Sequence, residues 1–332
     1  MDDATHEQGT GIKAAIRARY GPPEAIEVVD VERPECGPGQ VVVEVRACSV
    51  NPYDWHGLTG TPLIARMGTG WSVPASPRLG VDIAGVVVEV AEDVTGFAVG
   101  DAVFGFADGG FADLVAAKAE ELVRKPASVS FEDAAAVPIA ALTALQGLRT
   151  HGVLQAGEHV LINGASGGVG TYAIQLAKHL GATVTAVCSS RNADLVRELG
   201  ADHVVDYQST NFTDSVGAFD VVLDNIGNHP LSACKRCLVE TGRYVVVSGP
   251  KGRVLGPLGH MVRAVLSFAF STRKAAVFIA SRDRDDLDDL ARLLEQGSVR
   301  SVIEATFPLA ETAAAMAHVG SGRTRGKVVL QP

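Results

Sequence analysis

His159-Val160-Leu161-Ile162-Asn163 runs without a break into Gly164-Ala165-Ser166-Gly167-Gly168-Val169-Gly170, and from there into Thr171-Tyr172-Ala173-Ile174-Gln175-Leu176-Ala177-Lys178. A short buried-looking strand, a glycine turn and a helical apolar pattern follow one another, which is how a dinucleotide-binding βα unit begins. Glycines let backbone N–H groups approach a pyrophosphate, and the helix N-terminus adds partial positive charge. Ala165 stands where the usual G-x-G-x-x-G pattern has its first glycine, so the bare pattern is weak. Its place between a strand and a helix makes it specific. The turn residues Ala165, Ser166, Gly167, Gly168, Val169 and Gly170 are therefore expected to line the nucleotide, against the plainer reading of a tight turn in an α/β protein.

Outward from this unit the alternation continues. Thr183–Val187, His203–Val205, Asp220–Asp224, Tyr244–Val247 and Val277–Ala280 read as strands, and Asn192–Leu199, Leu231–Leu238 and Asp285–Gln296 as helices. Such a rhythm predicts a doubly wound parallel sheet with helices on both faces. Upstream the texture is different. Lys13–Arg19, Ile26–Val31, Val41–Val50, Asp82–Val90, Asp101–Phe106 and Phe111–Ala116 are β-like runs cut by Gly and Pro, and Thr61–Pro77 reads as a mobile loop. Ser130 before Phe131-Glu132-Asp133 marks a helix start. The last thirty-odd residues return to the first texture. The expected division is a β-rich domain over 1–130, a nucleotide domain over 131–297 inserted into it, and a returning segment over 298–332.

The nucleotide's identity is read at the end of the second strand of the parallel sheet. An NAD site usually places a carboxylate there for the ribose 2′-hydroxyl. This chain has Ser189-Ser190-Arg191 instead. Two hydroxyls and a guanidinium suit a 2′-phosphate, so NADP(H) is the expected cofactor. The serines also read as simple caps of the next helix.

Composition removes several classes. With 38 acidic against 29 basic residues in 332 and a net charge of −9, the chain lacks the clustered positive charge that grips nucleic acid. Five cysteines do not make a disulfide framework. The pair Cys234 and Cys237 lies on one apolar helix face with Leu231 and Leu238, and reads as core. The acidic run Asp283–Asp289 is expected to face water, opposite Leu287, Leu290, Leu293 and Leu294. The first twenty residues show no basic start followed by an apolar run, and the apolar stretch Val262–Ala280 is interrupted by Arg263, Arg273 and Lys274. A cytoplasmic setting without a membrane span is expected.

At this point the residues resemble the medium-chain dehydrogenase/reductase superfamily, in its zinc-free quinone oxidoreductase-like branch. The matching stretches run in family order. They are Val50-Asn51-Pro52-Tyr53-Asp54, Leu79–Gly85, Val99–Val103, Gly110–Asp113, Ala136-Val137-Pro138, Leu142-Thr143-Ala144, Gly164–Gly170, Leu199–Asp202 and Arg325–Val329. The resemblance implies a GroES-like catalytic domain, a Rossmann domain inserted in it and a cleft between them. Asn51 stands where the zinc enzymes have their first Cys and Val81 where they have His, so no metal is expected; Asp82 alone is not a site. Without zinc, NADPH itself would bring hydride to a quinone or enone.

By the same resemblance the loop Asn51–Gly60 lines the substrate pocket. Asn51 is expected to bind the acceptor oxygen and Asp54 to organise the loop. Tyr53 reads as a donor or as wall packing. His56 stands where many relatives carry Tyr, and reads as a proton donor or a wall residue. Thr143, Asn163, Asn225, Ile226, Gly227, Ser248 and Gly249 are expected along the nicotinamide side, and Tyr207 at the adenosine end. Lys327 reads as a phosphate contact or an ordinary strand lysine. A homodimer through the outer edge of the nucleotide sheet is expected. The competing functions are an NADP-dependent alcohol dehydrogenase or carbonyl reductase, and a non-enzymatic NADPH-bound structural or RNA-binding protein.

Overall fold

The computed structural model describes residues 11–332 except 216, 250–255 and 257. The first ten residues, half of the stretch expected to lack an apolar leader, lie outside the described residues. In the first third of the chain, Gly and Pro cut Val- and Ile-rich runs into short strands, since β-branched side chains fit the pleat and turn residues do not. These are β1 (Ile12–Arg17), β2 (Ile26–Val31), β3 (Gln40–Val50), β4 (Asp82–Val90), β5 (Ala102–Phe106), β6 (Leu114–Lys118) and β7 (Leu122–Arg124). The segment between β3 and β4 carries α1 (Pro52–Thr59) and a single turn, α2 (Arg66–Thr69). The expected loop over Thr61–Pro77 thus contains helical turns.

Next come α3 (Phe131–Ala135), whose N-cap Ser130 accepts from Asp133 N at 3.0 Å, and α4 (Pro138–Leu145). The alternation then runs β8 (His159–Asn163), α5 (Gly168–His179), β9 (Thr183–Cys188), α6 (Ala193–Glu198), β10 (His203–Asp206), β11 (Phe219–Asp224) and α7 (Leu231–Cys237). It ends with β12 (Leu238–Val246), α8 (Leu258–Phe268), β13 (Lys274–Val277) and α9 (Arg284–Glu295). The six strands pair in parallel in the order β10-β9-β8-β11-β12-β13. This is the Rossmann arrangement, with the strand order reversing between β8 and β11.

Finally β14 (Ile303–Pro308), α10 (Thr312–Gly320) and β15 (Lys327–Gln331) return to the first domain. β15 pairs antiparallel with β3, so the second sheet runs β14-β15-β3-β4-β5-β7, with β6 also on β3. One core cluster fills this GroES-like domain, a second covers one face of the Rossmann sheet and continues into the first domain at Ala47, Ala84, Phe104 and Val123, and a third covers the other face.

Three readings change. The edge strand lies at Lys274–Val277 rather than Val277–Ala280, because register pairs Val277 with Val246 and Arg243 with Lys274. β12 begins at Leu238, directly after α7, rather than near Tyr244. Not all the acids of 283–289 face water. Asp286 is buried and accepts from Gln146 Nε2 at 2.8 Å and from Arg149, while Asp283 caps α9. Cys234 and Cys237 are fully buried, as expected.

Candidate active site

The glycine turn sits at the carboxyl end of β8, where the strand order reverses and a crevice opens. Gly164 turns the chain at φ +75°, and a Cβ on Gly170 would stand 2.3 Å from the Gly164 carbonyl oxygen. Only glycine lets the first turn of α5 lie this close to the strand end. Ser166 is held from two sides. Its hydroxyl accepts from Asn192 Nδ2 at 2.8 Å and its carbonyl accepts from Gly326 N at 2.9 Å. The segment returning before β15 therefore walls one side of the turn.

Across the reversal, Asp224 ends β11 with no exposure. Its Oδ1 accepts from Asn163 Nδ2 at 2.8 Å, Ile226 N at 3.0 Å and Gly227 N at 2.8 Å; its Oδ2 accepts from Tyr244 OH at 2.6 Å. These bonds clamp the ends of β8 and β11 together and fix the turn of residues 225–227. Asn225 Nδ2 donates to the Asn163 carbonyl at 2.9 Å, while its Oδ1 is buried with no partner among the described residues. An orphaned acceptor beside the crevice costs free energy that a ligand N–H would recover. Asn163 faces inward to Asp224 and Asn228. The hydroxyl of Thr143 returns to the Ile139 carbonyl at 2.7 Å, within α4. Ser248 and Gly249 follow β12, the last residues described before 250.

At the other end of the turn lies a cavity of about 330 Å³ lined by Ser189, Ser190, Arg191, Tyr207, Gln208 and Arg323. No carboxylate lines it. Arg191 Nη2 donates to the Arg323 carbonyl at 3.1 Å, which brings the two guanidinium-bearing residues to one rim. Ser189 is the N-cap position of the following turn, yet its side chain makes no capping bond. Capping thus leaves its hydroxyl unspent.

On the opposite wall, Asn51 opens α1 and Asp54 closes a capping box by accepting from Asn51 N at 2.8 Å. Asn51, Asp54, Asp82 and Lys327 are all buried. The Asn51 amide donates to Asp82 Oδ2 at 2.9 Å and to the Ser49 carbonyl at 3.2 Å. Its carbonyl oxygen accepts from Lys327 Nζ, which also stands 3.8 Å from Asp82 Oδ2. Ser49 Oγ and Ile139 N complete the shell of Asp82. Burial, then repulsion from Asp82, pushes the Asp54 carboxyl up to about 7. Burial also raises Asp82 and lowers Lys327, against their mutual attraction. The Asn51 side chain is thereby fully engaged inside the wall, with no donor left over for an acceptor oxygen. Lys327 points into the same wall rather than toward a phosphate.

Tyr53 is 56% exposed on α1. His56 Nδ1 donates to the Thr61 carbonyl at 2.5 Å, which fixes the tautomer and leaves Nε2 as its second nitrogen. Trp55 packs on α10, where a Cβ on Gly320 would lie 2.2 Å from its ring.

Residues 37–127 match the family model described as alcohol dehydrogenase GroES-like domain, and residues 199–330 the one described as zinc-binding dehydrogenase. A chloroplastic quinone-oxidoreductase of Triphysaria versicolor is 33% identical, with 92% of this chain and 93% of that protein aligned. A mitochondrial NAD(P)H oxidoreductase of Bos taurus is 35% identical over 88% of this chain and 82% of the relative. The solved quinone oxidoreductase of Coxiella burnetii superposes with a TM-score of 0.87 at 31% identity, covering 97% and 100% of the two chains. The chain belongs to the medium-chain dehydrogenase/reductase superfamily.

Within that superfamily it falls among the quinone oxidoreductase-like members, and it is an oxidoreductase of the NAD(P)H-using type. Zinc, which one family description names, does not fit the residues present. The buried ammonium of Lys327 already occupies the polar cluster around Asn51 and Asp82, where it would repel a second cation. Among the described residues no group of three His, Cys, Asp or Glu side chains is arranged to hold a metal ion. No helix among the described residues is long and apolar enough to cross a membrane.

Sequence reasoning missed Arg323, Gln208 and Asp224. Arg323 and Gln208 lie far from the glycine turn along the chain, and only the return of the last segment brings Arg323 to it. Asp224 carried a signal that passed unread: an acid ending an apolar strand at the reversal of the sheet.

Proposed function

We propose that this chain is a zinc-independent, NADPH-dependent oxidoreductase that transfers hydride to a quinone or an α,β-unsaturated carbonyl. The observation that carries the reading is the carboxylate-free cavity with Arg191 and Arg323 at its rim and the hydroxyls of Ser189 and Ser190 in its wall. A 2′-phosphate is welcome there, and nothing in the lining prefers a bare ribose diol. When bound, NADPH supplies the hydride. The chain's residues would hold and orient it: backbone N–H groups of Gly168–Gly170, in the first turn of α5, would face the pyrophosphate, Tyr207 would flank the adenosine, and Asn225 Oδ1 would accept from the carboxamide.

Hydride addition to a conjugated acceptor builds charge on its carbonyl oxygen, and a donor in the pocket wall stabilises it. With the Asn51 amide spent on Asp82 and Ser49, that task falls to the Tyr53 hydroxyl and His56 on α1. With the Nδ1 proton held by the Thr61 carbonyl, His56 would donate from Nε2 only as the imidazolium. Residues 1–130 with 298–332 would supply this wall and 131–297 the cofactor. We place a homodimer contact on the outer edge of the Rossmann sheet, where Leu258, Val262, Val265 and Leu266 of α8 are exposed beside the edge strand β13. Light scattering at micromolar concentration reads the mass, and a monomer refutes that contact.

The test of function is NADPH consumption with a panel of quinones and enones, run beside elemental analysis and alcohol-driven NADP+ reduction. Turnover of a conjugated acceptor by metal-free protein is the expected result. Stoichiometric zinc with alcohol oxidation, or NADPH binding with no acceptor reduced, overturns it.

A further inference from the structure

Lys327 is a buried cation that the nucleotide reading leaves without a task. Its carbon stem runs directly beneath the glycine turn: a Cβ on Gly168 would lie 3.1 Å from Lys327 Cδ. One residue earlier, Gly326 donates its N–H to Ser166 and forms a β-bridge with Gly167. At its far end the ammonium donates to Asn51 Oδ1, the N-cap of the helix that carries Tyr53 and His56. Asn51 in turn is locked to Asp82, and Asp82 accepts from Ile139 N at the start of α4. One side chain therefore touches the floor of the turn and the first residue of the substrate-side helix. The ammonium stands 3.8 Å from the buried Asp82 carboxylate, so it offsets that charge as well as binding Asn51.

Building on the reading of Gly164–Gly170 as the nucleotide turn, we propose that Lys327 is a positioning residue that couples occupancy of that turn to the placement of α1. Displacement of the turn by a pyrophosphate is passed through the lysine stem to Asn51, and so to the start of α1. Removing the ammonium uncouples the two while leaving both in place.

Trp55 lies in α1 and provides a reporter, since the chain's other tryptophan, Trp71, is two-thirds exposed and replaceable by Phe. In the W71F background, saturating NADP+ is expected to shift Trp55 emission. Lys327→Met is expected to abolish that shift while the calorimetric NADP+ affinity changes less than about threefold, and to lower kcat about ten- to hundredfold with little change in acceptor KM. Lys327→Arg, which keeps a donor, is expected to recover part of the shift. If Lys327→Met does not fold, Asn51→Ser removes the acceptor while keeping a helix cap, and the same loss of coupling is expected. A shift that survives the loss of the ammonium, or a parent that binds NADP+ with no change at Trp55, overturns the coupling. Absence of any NADP+ binding by the parent instead overturns the nucleotide reading itself.

Discussion

Replacing Arg323 by Ala tests the cofactor reading at its most exposed joint. The residue sits on the rim of the cavity formed with Ser189, Ser190 and Arg191. Arg191 is held there by the backbone carbonyl of Arg323, at 3.1 Å, so the substitution removes one guanidinium and leaves the other anchored. A charge-assisted bond to phosphate contributes about 1.5–3 kcal/mol, equivalent to roughly 10- to 150-fold in affinity. Because the rim is open to solvent, the lower half of that range is expected, shrinking further as salt screens the pair. The dinucleotide lacking the 2′-phosphate has nothing to lose. Calorimetric titration with NADP+ and NAD+, at two ionic strengths, separates the cases. The expected outcome is a loss of about tenfold or more for NADP+ with NAD+ changed less than about threefold. Equal losses for both would show that Arg323 only shapes the fold, and no loss for either would remove the phosphate from this cavity.

Ser190→Asp places a carboxylate in the same wall, and NADP+ affinity is expected to fall at least tenfold while NAD+ is spared, measured as a ratio of kcat/KM values. Gly170→Ala drives a methyl into the Gly164 carbonyl, only 2.3 Å away, so thermal unfolding should show a loss of about 1–3 kcal/mol together with weakened nucleotide binding. Asp54, raised to about 7 by burial and by Asp82, binds its proton more tightly folded than unfolded. Its contribution is therefore present in full below about pH 4 and is lost progressively as pH rises from there through about 7, by an amount on the order of 4 kcal/mol. Urea unfolding between about pH 4 and pH 8 should show this slope, levelling off above about pH 7, and Asp54→Asn should flatten it. Parallel pH profiles for the two proteins would refute the raised pKa.

The Rossmann half was legible because each level agreed: the strand of 159–163, the glycine turn and α5 were readable within one window of sequence. β13 was placed a few residues late, since Ala275-Ala276-Val277-Phe278-Ile279-Ala280 is apolar in any register and only pairing with β12 selects one. Asn51 was assigned a donor's part because its residue type permits it. Its donor is spent on Asp82, 31 positions away, and on the Ser49 carbonyl, while its oxygen takes an ammonium 276 positions away; no local pattern carries the long-range part of that information. The same holds for Arg323. Asp286 was read as solvated from the helical stripe of leucines, whereas Gln146 and Arg149 of the preceding helical region draw it inward.

The pairing of β15 with β3, and of Gly326 with the floor of the glycine turn, joins the last stretch of polypeptide to the earliest part of the catalytic lobe. On a translating ribosome the Rossmann half is already long enough to collapse while the strand that closes its neighbour is still unmade. The cavity rim carrying Arg323 and the wall holding Asn51 then mature together, once β15 reaches β3, and contacts so widely separated in sequence form slowly. A chain cut before Arg323 would keep the glycine turn and Arg191 and lose the opposite rim of the cavity together with the strand that pairs with β3.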